Sequence, residues 1–513
     1  MLPPMLFTLL ALAPLVPLAV TPCLAREAEV RGLFRTTDLW NSDRGAYVLD
    51  ARLDTDVEFS VFTLGGTYRG YHLSDKQYNP RGIEAPQPVI KHRYAEMRLE
   101  GLGAMGGDGA GGGDGAGGGV SGTALVRAGH LFATFERGLV LRSFEDIDLE
   151  RDTALDGVLG EYELGALKVS GLTGRTTERL SGTRSNEYRA SGGRVAVTRG
   201  GLFALAASYV ERTAERQDKM NAVPMELRRF DDHVLGGEAE VWLGSVHVAG
   251  DYAYREGDHY TDLRQGDIPG HGVYLSGTYA APWFTLLAEY KDYKRFQHAM
   301  VNPPTCIREH VWTLTNRVTH EVNLNDERGF LAEGTLTVFE ALPLSAGASE
   351  ARTDHGGLAH WEMFGEIGHA AGRLGAASLG GSWSREYTAG KFAEYMTVML
   401  ETETQAEGDM PIELGLGGQW TEEPSGETFE NYLASLSWYA AEAVTVSGVA
   451  EATSQEGLER DLWFFAEASV ALGDGLDASV GAGTERGGKK CSGGVCYTEP
   501  EFAGVRLRLS KSF

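Results

Sequence analysis

The last nine residues of the chain, Val505-Arg-Leu-Arg-Leu-Ser-Lys-Ser-Phe513, decide its fold class. Successive side chains of a β-strand point to opposite faces, so this stretch has one apolar and one polar face. The apolar face consists of Val505, Leu507, Leu509 and Phe513. The polar face carries Arg506 and Arg508. This pattern is typical of a transmembrane β-barrel strand, since one face meets lipid and the other meets a wet lumen.

The end of the chain also resembles the C-terminal signal by which outer-membrane barrel proteins are assembled. In that signal an aromatic last residue, here Phe513, follows alternate apolar positions, here Val505, Leu507 and Leu509. The resemblance implies that the barrel-assembly machinery is a partner. Lys511 departs from the pattern because it lies on the lipid face, although its ammonium group could reach the headgroups from a position so close to the end.

Residues 1–25 have the composition of a secretory signal peptide. They carry no charged side chain, and an apolar run from Leu6 to Val20 ends shortly before the small residue Ala25. We therefore predict cleavage after Ala25 and a mature chain, residues 26–513, in the cell outer membrane. A spanning helix needs ~20 apolar residues, and this run is shorter and interrupted by proline.

The mature chain alternates between short strand-like segments and two kinds of connection. Tight turns such as 164–166 and 474–475 alternate with long polar connections, and this pattern is typical of short periplasmic turns and long outer loops. The long connections are roughly 71–90, 175–189, 212–232, 256–271, 293–328 and 486–498. We predict an all-β fold, a large transmembrane antiparallel β-barrel of about 24 strands (22–26). Its last strand should pair with the first strand near Val30, because closure removes exposed edges.

Composition narrows the choice of partners. The chain has 46 basic and 72 acidic residues and a net charge of −26, whereas nucleic-acid binding requires a basic surface. We therefore expect no nucleic-acid partner. The expected partners are outer-membrane lipid and small solutes or ions, and self-association into an oligomer stays open.

Two local features stand apart from the strand pattern. Residues 101–119 are rich in glycine, alanine and aspartate, which predicts a flexible insert. Cys491 and Cys496 enclose the turn Ser-Gly-Gly-Val and could form a disulfide in an oxidising compartment. Cys306 has no evident partner in the sequence.

The densest concentration of charge lies between Glu136 and Asp156, with three arginines and seven acidic residues. A charge at the bilayer midplane costs ~2–4 kcal/mol, so this segment cannot be a lipid-facing strand. We expect it to fold into the lumen, where opposed charges would filter solutes; a plain outer loop with self-paired charges is the alternative. The predicted constriction comprises Arg137, Arg142, Glu145, Asp146, Asp148, Arg151, Asp152, Arg506 and Arg508. The acidic residues of segment 145–152 could meet the two arginines of the last strand.

The stretch from Gly129 to Gly157, GHLFATFERGLVLRSFEDIDLERDTALDG, resembles the hallmark of an uncharacterised family of bacterial outer-membrane barrels. That family is known mainly as a domain of unknown function and is best represented in Bacteroidota. The positions that carry the resemblance are Gly129, Phe132, Phe135, Gly138, Leu139, Leu141, Arg142, Ser143, Phe144, Glu145, Leu155, Asp156 and Gly157. The resemblance implies a barrel without an assigned role, and it supplies no catalytic residues.

These observations favour a porin-like channel or solute-binding pore with a charged lumen constriction. We predict that the chain is not an enzyme and has no cofactor or metal. It has no Gly-x-Ser-x-Gly elbow, and His320-Glu321 is not followed by the second histidine of a metalloprotease helix. Three alternatives stay open. They are a structural or adhesive barrel that binds a partner through long acidic loops, especially 293–328; a barrel-embedded hydrolase; and a soluble secreted β-protein such as a propeller.

Overall fold

A computed structural model describes most of the chain. The described residues are 28–43, 46–73, 89–102, 122–146, 151–179, 185–217, 227–258, 268–337, 342–353, 356–370, 375–388, 390–404, 410–492 and 495–513. The predicted signal peptide at 1–25 and residues 103–119 of the predicted glycine-rich insert lie outside these ranges. Those predictions therefore remain predictions.

Twenty-four strands of the described residues form one antiparallel sheet, and we number them β1 to β24 in chain order. Six shorter strands form three two-stranded pairs, which are Ala133–Phe135 with Leu141–Ser143, Glu145–Asp146 with Arg151–Asp152, and Gly488–Ser492 with Val495–Glu499. The strands are β1 Ala28–Asn41, β2 Ala46–Phe59, β3 Phe62–Leu73, β4 Val89–Leu102, β5 Gly122–Leu131, β6 Leu155–Leu164, β7 Leu167–Arg179, β8 Ser185–Arg199, β9 Phe203–Gln217, β10 Leu227–Leu243, β11 Val246–Gly257, β12 Gly270–Ala281, β13 Phe284–Lys294, β14 Asp326–Thr337, β15 Pro343–Arg352, β16 Leu358–Ala370, β17 Ala376–Thr388, β18 Lys391–Thr404, β19 Ile412–Glu422, β20 Thr428–Ala441, β21 Val444–Thr453, β22 Leu462–Gly473, β23 Leu476–Glu485 and β24 Phe502–Ser512.

The sheet closes on itself, because the first strand pairs with the last. Trp40 lies opposite Val505 and Leu33 lies opposite Ser512. Beyond β24, the Gly32 N–H donates to the Phe513 carbonyl at 2.8 Å and the Phe513 N–H donates to the Gly32 carbonyl at 3.0 Å. A Cβ at Gly32 would overlap the Phe513 ring, so this position must be small. The predicted all-β class, the count of about 24 strands and the closing pair are confirmed.

The wall has an apolar outer face and a mixed inner face, as a membrane-spanning barrel requires. In β10, Leu235 is 58% exposed on the outer face, whereas its neighbour Val234 is fully buried on the inner face. The large aromatic residues Trp40, Trp283 and Trp438 are exposed near strand ends, where interfacial girdles lie. The chain is therefore a transmembrane β-barrel.

The connections differ between the two ends of the barrel. At the periplasmic end, tight turns join β2 to β3, β6 to β7, β10 to β11, β12 to β13, β20 to β21 and β22 to β23. At the outer end lie the long connections. Three of them enter the barrel, and residues 295–325 contact both of the others. We call residues 132–154 loop A, residues 295–325 loop B and residues 486–501 the disulfide hairpin.

Helical structure is short in the described residues. A single 3-10 turn covers Glu136–Gly138 in loop A, and an α-helix covers Thr313–Asn316 in loop B. No helix in the described ranges is long and apolar enough to cross a membrane.

Candidate functional site

Loop A turns sharply where it enters the lumen. Glu136 and Arg137 both have left-handed backbone angles, with φ of 44° and 46°, and Gly138 follows with φ of 89°. Left-handed geometry is costly for residues with a side chain, so the surrounding contacts must hold it. A Cβ at Gly138 would overlap the carbonyl of Asn302, which shows how closely loop A approaches loop B.

The two charged residues of this turn are anchored to the barrel wall. Glu136 is buried and accepts a hydrogen bond from Ser208 Oγ at 2.5 Å. Burial raises the pKa of Glu136 above its usual value. Arg137 Nη1 donates to Asp251 Oδ2 at 2.5 Å, and Arg137 also pairs with Glu240. The turn is therefore held against β9, β10 and β11 by its own charges.

The acidic residues of loop A meet cations of β2 and β4. Glu145 accepts two hydrogen bonds from Arg52, at 2.7 and 2.8 Å, and one from Lys91 at 2.6 Å. His92 Nε2 lies 2.9 Å from Asp152 Oδ2. Burial alone would raise the pKa of Asp152, but the hydrogen bond with His92 and the charge of Lys91 hold it below its usual range.

Two arginines of loop A, Arg142 and Arg151, face loop B. Arg142 Nη1 donates to the Asn302 carbonyl at 3.2 Å, and Arg151 Nη2 donates to the Ala299 carbonyl at 3.5 Å. Both guanidinium groups lie over the ring of Phe144, at 4.9 and 5.7 Å from its centroid. Burial lowers the pKa of Arg142, and the charge of Arg151 adds to the effect. These two cations therefore fasten one inner loop to the other.

The structure separates the other predicted constriction residues. Asp146 lies opposite Arg151 in a short pair of strands, and Asp148 lies outside the described residues. Arg506 donates to Glu485, and Arg508 Nη1 lies 3.3 Å from Glu467 Oε2. The predicted meeting of Arg506 and Arg508 with acidic residues of segment 145–152 is wrong for the described residues, because the carboxylates of Glu485 on β23 and Glu467 on β22 are nearer.

Loop B crosses the lumen and is not a surface loop. Phe296 and Met300 are fully buried, and Arg317 pairs with Glu451 on β21 and reaches the Arg486 carbonyl at 3.4 Å. The region is also not acidic, since residues 293–328 carry five basic and four acidic side chains. These are Lys294, Arg295, Arg308, Arg317 and Arg328 against Glu309, Glu321, Asp326 and Glu327. The prediction of a long acidic surface loop at 293–328 is therefore wrong.

An apolar contact joins the middle of loop B to the wall. Trp312 and Leu314 pack with Met399 and Leu433, and we call these four residues the septum. A Cβ at Gly380 would overlap the Trp312 indole, so the glycine makes room for the ring. Gln419 Nε2 donates to the Leu314 carbonyl at 3.0 Å and fixes the height of the contact.

Cavities lie on both sides of the septum in the same half of the barrel. The outer cavity has a volume of about 430 Å³ and lies between loop B, the disulfide hairpin and the wall. The periplasmic cavity has a volume of about 510 Å³ and is lined by Glu401, Glu403, Glu413, Ser435 and Ser437 among others. Leu433 lines the outer cavity, and the next inward residue of β20, Ser435, lines the periplasmic one.

The disulfide hairpin covers the outer cavity. Cys491 and Cys496 are joined by a disulfide, and the Cys491 N–H donates to Asn316 Oδ1 of loop B at 2.9 Å. Lys489 Nζ donates to the Thr319 carbonyl at 2.6 Å. Cys306 is a buried free thiol in loop B. The hairpin and loop B therefore hold each other in place.

A buried histidine cluster that the sequence analysis did not single out lies at the outer end of the lumen. His320 of loop B lies between two carboxylates, with Nδ1 2.7 Å from Glu386 Oε1 and Nε2 3.0 Å from Glu327 Oε2. His360 Nδ1 lies 3.1 Å from Glu386 Oε2. Burial alone would lower the pKa of His320, but these hydrogen bonds raise it to about 9. The alternation of β16 and β17 places His360 and Glu386 inside, but no local signal brings His320 to them.

Comparisons with known proteins give a family match over part of the chain and a likeness of fold. Residues 121–336, which contain loops A and B, match the sequence profile of a family of unknown function (DUF6029). The predicted resemblance to an uncharacterised family is thereby confirmed. The chain has no match among curated proteins.

Two solved structures resemble the chain over most of its length. The translocation pore of the P pilus usher PapC has a TM-score of 0.44 and 10% identity, with 94% of this chain and 99% of that chain covered. The siderophore receptor PirA from Pseudomonas aeruginosa has a TM-score of 0.46 and 9% identity, with 94% and 80% covered.

Proposed function

We propose that the chain is an outer-membrane pore for small hydrophilic solutes or ions, kept closed by loop B and opened when the septum leaves the wall. The observation that carries the proposal is the pair of cavities on either side of the septum. Along β20, successive inward residues pass from the septum at Leu433 to the periplasmic cavity at Ser435 and Ser437. Movement of one apolar contact would therefore join two water-accessible spaces.

The linings of the cavities support a hydrophilic solute. The periplasmic cavity carries the carboxylates of Glu401, Glu403 and Glu413, which favour cations and hydroxyl-rich molecules. The outer cavity combines cations such as Arg486 with carboxylates such as Glu451. The proposal assigns no enzymatic step to the chain, and outer-membrane lipid and the barrel-assembly machinery remain its expected partners.

Neutralising Arg142 and Arg151 of loop A should change the ion selectivity of this pore. In water, a unit charge about 10 Å away contributes about 0.4 kcal/mol, roughly a twofold change in local ion concentration. The double variant R142Q/R151Q removes two positive charges from the lumen. We expect its reversal potential in planar bilayers under a salt gradient to move towards cation selectivity.

The matched control removes two arginines from outside the lumen. Arg352 and Arg385 have side chains that are 42% and 44% exposed, and each pairs with a neighbouring glutamate. R352Q/R385Q should leave the reversal potential unchanged. A shift of equal size in both double variants, or in neither, would contradict a charged constriction at loop A.

One observation favours a second candidate function, a structural or adhesive barrel. The inner loops form an apolar core with the wall that includes Leu139, Val140, Phe296 and Met300. Such a core resembles the interior of a soluble domain more than the lining of a channel. A barrel that conducts nothing even after loop B is removed would support this candidate.

A further inference from the structure

The histidine cluster brings together three side chains that can each offer a metal ligand. His320 belongs to loop B, His360 to β16 and Glu386 to β17. Their ligand atoms all lie within 4.8 Å of one another. The two imidazole rings stack with centroids 5.1 Å apart and planes inclined by 22°, so both present Nδ1 to the same carboxylate.

Among the described residues, the hydrogen-bond partners of Glu386 are the histidines His320 and His360 and include no lysine or arginine. The cluster of His92, Glu145 and Asp152 has a similar composition, but a lysine lies beside its two carboxylates. There Lys91 Nζ lies 2.6 Å from Glu145 and 3.3 Å from Asp152, and occupies the place that a cation would take. The two clusters therefore differ in what they can still bind.

The surroundings of His320 orient it for metal binding. Its Nε2 faces Glu327, which is buried and in turn accepts hydrogen bonds from Lys291 Nζ at 2.5 Å and the Asn323 N–H at 2.9 Å. A carboxylate behind a ligating histidine orients the ring and sets which nitrogen faces a metal. Nδ1 of His320 is the nitrogen left facing Glu386.

His360 is held from one side only. Its ring is 97% buried, with 3% exposed, and its Nε2 has no hydrogen-bond partner among the described residues. The Nδ1 atom that faces Glu386 is therefore the one polar anchor of this ring. Glu386 itself is 23% exposed at its side chain, which leaves an approach for an ion from the outer end.

We propose that this cluster binds one divalent transition-metal ion of the zinc class through Nδ1 of His320, Nδ1 of His360 and the carboxylate of Glu386. Two imidazoles and one carboxylate form a ligand set that suits zinc, and Glu327 supports it from behind. Metal–ligand distances of ~2.0–2.1 Å place tetrahedral ligand atoms about 3.3 Å apart. To reach that spacing, the observed N–O separations of 2.7 and 3.1 Å would widen by about 0.6 and 0.2 Å.

The ion would join loop B to the wall, because one ligand lies on the loop and two lie on neighbouring strands. His360 and Glu386 are direct partners across β16 and β17, so the wall half of the site is rigid. The inference does not depend on whether the barrel conducts, since it concerns where loop B is fastened.

The test is zinc binding to the full barrel, folded in detergent and stripped with a chelator, measured by calorimetry and by metal analysis after dialysis. We expect one equivalent of zinc in the wild type. H360A and E386Q should weaken binding by at least about 100-fold, and E327Q by about 10–100-fold, since it removes only the support behind His320. H369A removes an exposed histidine from the same strand as His360 and should bind like the wild type.

The outcomes separate cleanly. Zinc bound by the wild type and H369A but lost in H360A and E386Q supports the site. Zinc retained by E386Q and H360A, or absent from the wild type, overturns it. Heat-modifiable gel migration checks that each variant is folded, and E386Q, which keeps the shape of the side chain, decides if H360A does not fold. Cobalt added to the wild type tests the site without any variant, because ligation by nitrogen changes the visible absorption spectrum of cobalt. An unchanged spectrum would contradict the site.

Discussion

Excision of residues 298–322, with Gln297 joined to Asn323, is expected to turn a weakly conducting barrel into a wide pore. Barrels of about 16–18 strands already leave an aqueous channel, and this wall has 24 strands. The ends of loop B are already adjacent, because the Phe296 N–H donates to the Leu324 carbonyl at 2.9 Å. Excision should therefore leave β13 and β14 in place. We expect single-channel conductance to rise on the order of tenfold.

A double substitution in loop B should also raise the single-channel conductance. W312S/L314S removes the apolar half of the septum that loop B supplies and should raise conductance less than the excision does. The control replaces the outer turn at 423–427 with glycine and serine, because this turn bonds to itself through the Gly426 N–H and the Glu423 carbonyl. If the excised barrel stays folded and its conductance does not exceed that of the control, loop B is not a gate. That result would favour the structural or adhesive barrel.

D232N should be the most destabilising conservative change in the barrel wall that we can name. Asp232 accepts hydrogen bonds from Arg212, at 2.8 and 2.7 Å, and from Arg255 at 2.7 Å, and all three residues are at most 4% exposed. Removing the carboxylate charge leaves two buried guanidinium groups without compensation. Breaking a buried ion pair in this way costs about 3–5 kcal/mol. The free energy of unfolding in urea, followed by tryptophan fluorescence in detergent, should fall by that amount.

The adjacent aspartate provides a matched control on the other face of the strand. Asp231 is 47% exposed at its side chain and pairs with Arg229, which is 62% exposed. Exposed pairs contribute about 0–1 kcal/mol, so D231N should change stability little. Equal decreases in the free energy of unfolding of D231N and D232N would show that the buried arrangement of Asp232 is not what stabilises the wall.

Asp232 also connects the wall to both inner loops. Arg212 Nη1 donates to the Val140 carbonyl of loop A at 3.4 Å, and Arg255 Nη1 donates to the Arg295 carbonyl of loop B at 3.1 Å. The lower free energy of unfolding of D232N should therefore be accompanied by faster proteolysis of loops A and B than in the wild type, under conditions in which the wall is still folded. Asp231 makes no such contact, since it bonds with Thr213 and Arg229.

The sequence could have predicted part of the histidine cluster. His360 and Glu386 lie opposite each other because β16 and β17 are consecutive antiparallel strands, with Ala370 opposite Ala376. The position of His320 could not be predicted from the sequence, because loop B has no periodic pattern. The same limit applies to Arg142, whose partner Asn302 lies 160 positions away in the chain.

By itself, the sequence determined the wall. The two-residue alternation of Val505 to Phe513 and of the other strands is a local property, and it indicates which side chains meet lipid. It also predicted about 24 strands (22–26), and closure of such a sheet requires the last strand to pair with the first. Only the tertiary structure decided what fills the lumen. Loops A and B have no repeating pattern, and their places follow from single contacts between distant residues, such as Trp312 with the wall at Gly380 and Arg317 with Glu451. Those contacts depend on the closed wall, which places their partners around the lumen.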